Sequence, residues 1–221
     1  MLVSIEDIKS NEIVKTLIKR ADLCLEAIGY TEHGFRHTGI VSKNTKMILE
    51  QLGYEKRMCE LAEIAGYMHD IGNSINRVNH PHYGAILAKD ILSDIGMDIE
   101  EVAIIMGAIG NHDESFGGEP VNPISAALIL ADKADVHRSR VRGTNQLSFD
   151  IHDRVNYAAI HSLLKVDKEK KEITLELSID TQISQVMEYF EIFLSRMVIS
   201  KKSAEYLGCK FKLEINEYSL S

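Results

Sequence analysis

Cysteine is scarce in this sequence, and its three cysteines form no recognisable pair. Cys24, Cys59 and Cys209 are odd in number, far apart, and not arranged with two residues between them. This pattern argues against a disulfide framework and against a zinc site built from thiolates. It fits a reducing compartment, and we therefore expect a cytoplasmic protein.

Long apolar runs and a basic excess are also missing. No stretch approaches the roughly 18 apolar residues of a membrane-spanning helix, and residues 1–7 lack the pattern of an export signal. The formal net charge is −8, from 33 acidic and 25 basic side chains, which gives no broad positive field for phosphate backbones. We expect neither a membrane nor duplex nucleic acid as a partner, while a homodimer stays open.

The sequence is instead rich in apolar residues at helical spacing. With 221 residues, 45% hydrophobic and 26% charged, the chain can build one core and a small appended subdomain. Apolar periodicity and capping residues predict helices over residues 4–28, 37–52, 56–69, 81–96, 98–112 and 123–132. Beyond residue 150 the pattern predicts a hairpin (157–166 and 172–179), a helix (183–206) and a strand (209–215). We expect a mainly α fold, with a helical domain over 1–150 and a small α+β subdomain over 151–221 packed on it.

Six imidazole and carboxylate side chains stand at or near the ends of these predicted helices. They are His37, His69, Asp70, His80, His112 and Asp132. A lone His-Asp pair arises often by chance, but this one ends an apolar helix and is followed by a glycine that turns the chain. Nitrogen and oxygen donors without thiolates suit iron, manganese, cobalt, nickel or zinc, and six donors suffice for two ions if one carboxylate bridges.

The order of these residues resembles the HD superfamily of metal-dependent phosphohydrolases. His37, His69-Asp70 and Asp132 match its ordered pattern H…HD…D, and the resemblance covers roughly residues 30–140. The segment from His80 to Ala85 looks like the H-P-x-x-G-A turn of the members with binuclear sites, and the segment at His112 looks like their H-H-E segment. The resemblance implies an HD-type helical bundle.

The resemblance also implies roles for these residues. His37, His69 and Asp132 would hold one metal ion, His80 and His112 the other, and Asp70 would bridge them. His69 and Asp70 would then be the catalytic residues of a centre containing two divalent transition metals, with iron or manganese favoured over cobalt, nickel and zinc. His80 lies four residues before its glycine, as the family's ligand does, so His82 is interpreted as facing the substrate.

A cluster of basic residues follows the last aspartate of the pattern. Its members are Lys133, Arg138, Arg140 and Arg142. In an acidic chain such a concentration suits the binding of a phosphate, although a solvated loop would look the same.

These observations predict an enzyme that hydrolyses a small phosphate ester through attack by metal-bound hydroxide. The substrate would be a nucleotide or a related phosphomonoester or phosphodiester. Two alternatives use the same pattern. One is a mixed-valence di-iron oxygenase of the HD type, and the other is a non-enzymatic module that senses a metal or a nucleotide.

Overall fold

Nine α-helices and a four-stranded sheet make up the part of the chain that the structure, a computed structural model, describes: residues 2–143 and 149–219. The helices α1–α9 span Ile5–Ser10, Glu12–Ala27, Phe35–Leu52, Lys56–Met68, His80–Asp94, Ile99–Gly110, Pro123–Lys133, Ile151–Ala158 and Val186–Tyr206. The strands β1–β4 span Ala159–Asp167, Glu172–Ile179, Lys210–Ile215 and Tyr218–Ser219. The predicted mainly helical fold with a small C-terminal α+β part is confirmed.

The first predicted helix is two helices in the structure. Ser4 begins α1 with the expected capping box, formed with Asp7. Asn11 then interrupts the helix, because its side chain accepts hydrogen bonds from the backbone of Ile13 and Val14 and so caps α2. The other five predicted helices before residue 134 begin and end within two residues of the observed bounds.

The second half of helix α4 lies at the centre of the helical part and is enclosed on all sides. Every residue from Leu61 to Asn73 is buried, and α3, α6 and α7 pack around the helix. Apart from Glu63, the stretch from Leu61 to Met68 carries no charge, and a helical segment of this kind belongs in a core. It therefore carries His69 and Asp70, which follow it directly, into the middle of the molecule.

The chain turns sharply after Asp70, and the turn packs closely against the start of α5. A 3-10 turn, Ile71–Ser74, follows Asp70 and packs against the start of α5. A Cβ atom on Gly72 would lie 2.0 Å from the carbonyl oxygen of His80, so only glycine allows this approach. The contact brings Asp70 and His80 side by side.

The C-terminal part is a sheet covered by a helix. Strand β2 pairs antiparallel with β1 and parallel with β3, and β4 pairs antiparallel with β3. The parallel pair needs a crossover, which α9 supplies. The hairpin prediction is correct, but the first predicted strand begins too early, because residues 151–158 form the helix α8 that the sequence reading missed.

Helix α9 also packs against α7, so the helical and α+β parts touch through these two helices. The division of the chain near residue 150 stays a prediction. Among the described residues, no helix combines the length and the apolar character that crossing a membrane requires.

Candidate metal centre

The six predicted donor residues converge at the centre of the helical part. His37 lies in the first turn of α3, His80 is the first residue of α5, and Asp132 is in the last turn of α7. His69 and Asp70 follow α4, and His112 follows α6. All are buried except Asp132, which is partly exposed. Five separate segments thus place nitrogen and oxygen donors in one buried cluster.

The four histidines of the cluster are oriented in the same way. Each ring directs Nδ1 at an acceptor: Asp135 for His37 (2.7 Å), and the carbonyl oxygens of Gly66 for His69 (2.9 Å), Arg77 for His80 (3.1 Å) and Ile109 for His112 (2.7 Å). A carbonyl oxygen can only accept, so Nδ1 carries the hydrogen. Nε2 is left free on every ring to face the centre of the cluster.

The free nitrogens meet in two pairs. The Nε2 atoms of His37 and His69 are 3.3 Å apart, and those of His80 and His112 are 3.1 Å apart. Two lone pairs at such a distance repel each other unless a proton or a metal ion lies between them. The four imidazoles therefore fit a site for cations.

Asp70 lies between the two histidine pairs and faces each with a different oxygen. Its Oδ2 is 3.6 Å from Nε2 of His37 and 3.4 Å from Nε2 of His69. Its Oδ1 is 3.4 Å from Nε2 of His80 and 3.8 Å from Nε2 of His112. A carboxylate with this geometry can bridge two ions.

Burial alone would raise the pKa of Asp70, but the nearby imidazoles of His69, His112 and His80 hold it well below its usual range. Asn73 donates a further hydrogen bond of 2.8 Å to Oδ1 and fixes the carboxylate in place. Asp70 is therefore an oriented, ionised group.

Asp132 completes the pair formed by His37 and His69. Its Oδ1 is 3.3 Å from Nε2 of His37 and 3.7 Å from Nε2 of His69. Its Oδ2 lies 3.0 Å from Nζ of Lys133, which also lies 3.0 Å from Glu114. Burial would lower the pKa of Lys133, but these carboxylates and Asp113 raise it on balance, so the lysine stays charged and holds Asp132.

Three overlapping groups in the cluster have the spacing that a metal ion requires. In each, the donor atoms lie within 4.8 Å of one another; the groups are His37, His69 and Asp70; His69, His112 and Asp132; and Asp70, His80 and His112. Three or four nitrogen and oxygen donors at this spacing match the ligand sets of transition metals in proteins. The residues present therefore fit two metal ions that share Asp70.

The pair formed by His37 and His69 is surrounded by negative charge. Asp135, behind His37, also binds Arg36 at 3.0 Å. Burial would raise the pKa of Asp135, but its hydrogen bond with His37 and the nearby Arg140 hold it far below the usual range. Burial would likewise lower the pKa of His69, yet Asp70 and Asp132 raise it on balance. His69 would hold a metal ion in its deprotonated form, so an ion bound here would replace a proton that Asp70 and Asp132 stabilise.

The pair formed by His80 and His112 has an ion pair beside it instead: Asp113, 3.7 Å from Nε2 of His80, is bound to Arg77 at 3.1 Å. Nη1 of Arg77 lies 3.2 Å from Nδ1 and 3.1 Å from Nε2 of His80, so it rests against the ring face. Burial lowers the pKa of His80, and His112 and Arg77 add to this against the opposing effect of Asp70. His80 is therefore neutral, with its Nε2 lone pair available.

A cavity of about 400 Å³ lies beside the cluster. Its wall includes His33, whose ring centroid is 5.3 Å from that of His37, and Arg77, which contacts His80. Two more arginines, Arg140 and Arg196, line it as well. The cavity has the size of a small-molecule site, and its wall includes residues that contact two of the donor histidines, His37 and His80.

Of the five residues predicted to bind substrate, Arg140 lines this cavity. The others lie elsewhere: Lys133 is buried between Asp132 and Glu114, Arg138 stacks on the ring of Tyr157 at 5.3 Å, Arg142 binds Asp22, and His82 is exposed on α5. Their roles in substrate binding stay predictions.

The sequence reading missed two arginines of the cavity. Arg77 stands three residues before His80, and a basic residue so close to a predicted ligand was a usable signal, since its guanidinium lies 3.1 Å from Nε2 of that histidine. Arg196 gave no such signal, because nothing in the apolar pattern of α9 shows which turn faces the cluster.

Comparisons with known proteins include one family match and two similar proteins. Residues 34–138 match the HD domain family. The chain is 28% identical over 209 residues to the uncharacterized protein MJ1020 of Methanocaldococcus jannaschii, covering 83% of this chain and 79% of that protein. It is also similar to the crystal structure of a predicted HD superfamily hydrolase from an uncultured Thermotogales bacterium, at 25% identity and a TM-score of 0.45, covering 57% and 67% of the two chains. All six donor residues lie within the matched stretch.

Proposed function

Because residues 34–138 match the HD domain family, we propose that the chain is a metal-dependent phosphohydrolase. Its substrate is a small phosphate ester, such as a nucleotide or a related phosphomonoester or phosphodiester. The supporting observation is the position of Asp70, whose two oxygens face two separate histidine pairs at 3.4–3.8 Å. This arrangement suits two ions held side by side, as in enzymes that transfer phosphoryl groups.

The donor set indicates which metals the chain takes. Four imidazoles and two carboxylates without a thiolate suit iron or manganese, with cobalt, nickel and zinc as alternatives. His37, His69 and Asp132 would hold one ion, His80 and His112 the other, and Asp70 both. Bound ions of this kind lower the pKa of a water molecule toward neutral and polarise phosphoryl oxygens.

The chain's own residues position the reacting atoms and balance their charge. In the hydrolysis, the oxygen of water bonds to phosphorus, the ester P–O bond breaks, and the leaving alcohol takes a proton. Arg77 and Arg140 line the adjacent cavity, where their positive charge attracts the negative charge of a phosphate. His69 and Asp70, buried at the centre, hold the site rigid.

The test is metal analysis of the purified protein followed by a substrate panel. After loading with manganese or iron, we expect about two ions per chain and phosphate release from phosphomonoesters, phosphodiesters or nucleotides. His69→Ala should abolish both, while His161→Ala, which removes an exposed histidine on β1, should change neither. Full activity in a folded, metal-free His69→Ala variant would refute the proposal. Oxygen consumption with a mixed-valence iron signal, in place of phosphate release, would favour the oxygenase.

A further inference from the structure

Arg196 stands out among the residues that line the cavity beside the cluster. It is partly buried on α9, and its guanidinium stacks on the ring of Phe193 at 4.3 Å. Within residues 2–143 and 149–219, no carboxylate lies within 4.0 Å of this guanidinium, and no hydrogen bond reaches it. A charge enclosed in this way is costly unless it has a partner.

The other two arginines of the cavity already have partners. Arg77 binds Asp113 at 3.1 Å. Arg140 donates to the backbone oxygens of Asp135 (2.8 Å) and Glu32 (3.0 Å). Arg196 is thus the cavity arginine whose donors are all free to bind a ligand.

Arg196 also lies within electrostatic range of the cluster. Burial lowers the pKa of Arg196, while the charges of Asp132, Glu114 and Asp113 raise it in part. Asp132 is one of the six donors, and Arg196 shares the cavity with Arg77, whose guanidinium lies 3.1 Å from Nε2 of His80. An anion held by Arg196 would have one end near the donor atoms.

Another part of the cavity wall carries acceptors. Asp153 and Asn156, on α8, line it. The Asp153 carboxylate accepts no hydrogen bond from the described residues, and burial and the nearby Asp150 raise its pKa. Acceptors of this kind suit the hydroxyl groups of a sugar.

We propose that Arg196 binds the substrate phosphate and that Asp153 and Asn156 bind the hydroxyl groups of the leaving group. This rests on the proposed function, and it narrows the substrate class to phosphomonoesters of a hydroxylated sugar, either a free sugar or a nucleoside. One unpaired guanidinium serves one phosphate, and a cavity of about 400 Å³ holds one leaving group of this size. The α+β part then supplies specificity to a centre that the helical part holds.

The first experiment compares Arg196→Gln with Lys201→Gln, which removes the same charge from an exposed position on the same helix. Each protein is loaded with manganese and assayed with ribose 5-phosphate, AMP and p-nitrophenyl phosphate, with inorganic phosphate as inhibitor. In Arg196→Gln we expect KM and the inhibition constant of phosphate to rise about 10- to 100-fold, as for a lost charge-assisted hydrogen bond. Its metal content should stay that of the wild type, and Lys201→Gln should match the wild type throughout.

Three outcomes separate this inference from the proposed function. If the wild type releases phosphate but Arg196→Gln behaves like Lys201→Gln, the role of Arg196 is refuted and the proposed function stands. If the wild type releases phosphate from no ester, both are refuted. If Arg196→Gln does not fold by circular dichroism, Arg196→Lys decides, because it keeps the charge but loses the bidentate fork. Its inhibition constant for phosphate should rise about 3- to 10-fold, and an unchanged constant refutes the role.

The second experiment tests the leaving group. Asp153→Asn should lower kcat/KM about tenfold for ribose 5-phosphate and AMP, while p-nitrophenyl phosphate, which has no sugar hydroxyl, is hydrolysed as before. Asp94→Asn, at an exposed position on α5, serves as the matched control. An equal loss with all three substrates would contradict a contact to the sugar, and a loss with AMP alone would place the contact on the base.

Discussion

Asp70 separates two halves of the cluster that differ in charge. On one half, the Asp132 side (His37, His69 and Asp132), two carboxylates back the imidazoles, since Asp135 lies 2.7 Å from His37. On the other, the Arg77 side (His80, His112 and Arg77), the histidines are held by backbone carbonyls, and a guanidinium rests 3.1 Å from Nε2 of His80. The carboxylate on this side, Asp113, lies 3.7 Å from the same nitrogen and is paired with Arg77. Negative charge attracts a divalent cation and positive charge repels it.

Two sites with equal numbers of histidines can therefore differ in metal affinity. We expect the Asp132 side to bind its ion tightly and to fix the fold around it. The Arg77 side, which adjoins the cavity through Arg77, should bind its ion more weakly and exchange it more readily.

Removing the group common to both sides should have the largest effect. In Asp70→Ala, both ions should be lost and phosphate release should fall by more than about 100-fold, because even residues that merely orient metal ligands are worth about 10- to 100-fold. Metal content after dialysis and phosphate release measure this. Retention of one tightly bound ion would show that Asp70 serves only one side.

Removing one histidine from each side should distinguish the two sites. His80→Ala should retain about one ion per chain after dialysis, because the Asp132 side keeps all its carboxylates. His69→Ala should retain close to none, since the Arg77 side is then left with its weak affinity. Metal analysis of the two variants, purified in parallel, checks this. If His69→Ala kept one ion and His80→Ala kept none, the Arg77 side would be the tighter metal site.

Removing the charge of Arg77 should make the metal affinities of the two sides more alike. In Arg77→Gln we expect the weaker metal site to bind about tenfold more tightly, because a cation next to His80 is removed, while the tighter site is unchanged. Titration of the metal-free protein with manganese measures both affinities. Weaker binding at both sites would mean that Arg77 acts by holding Asp113 and not by charge repulsion.

A change far from both sides should affect stability alone. Glu188 on α9 accepts hydrogen bonds from Arg154 and Ser184, which lower its pKa to about 2 from an ordinary value of 4.5. Its ionised form therefore stabilises the folded state above pH 4.5, and this contribution is lost as the pH falls toward 2. Glu188→Gln should lower Tm by about 1 or 2 °C at pH 7 and leave metal content unchanged. The difference in Tm should shrink as the pH falls, and a difference independent of pH would contradict the assignment.

The sequence allowed the helical part to be predicted well, because its signals are local. Apolar periodicity and caps such as Ser4 gave the helices, and the glycine after His69-Asp70 gave the turn that brings Asp70 to His80. Asn11 was overlooked as a cap because the apolar pattern continues across it. The order of the six donor residues was enough to place them together.

The surroundings of the cluster could not be predicted in the same way, because they depend on packing between distant segments. Asp135 orients His37 through a contact that joins residues 98 positions apart. Arg196 reaches the cavity only because α9 crosses from β2 to β3 and packs on α7. Arg142 is drawn to Asp22, 120 residues away, an ion pair that no local pattern indicates.

Titration of the metal-free protein with manganese, with stoichiometry and affinity followed by calorimetry, tests the two-ion centre most directly. We predict two ions per chain with dissociation constants at least about tenfold apart, and we predict that His80→Ala loses the weaker site and keeps the tighter one. A single ion per chain in the wild type, or two ions of equal affinity, would contradict an unequal two-ion centre bridged by Asp70.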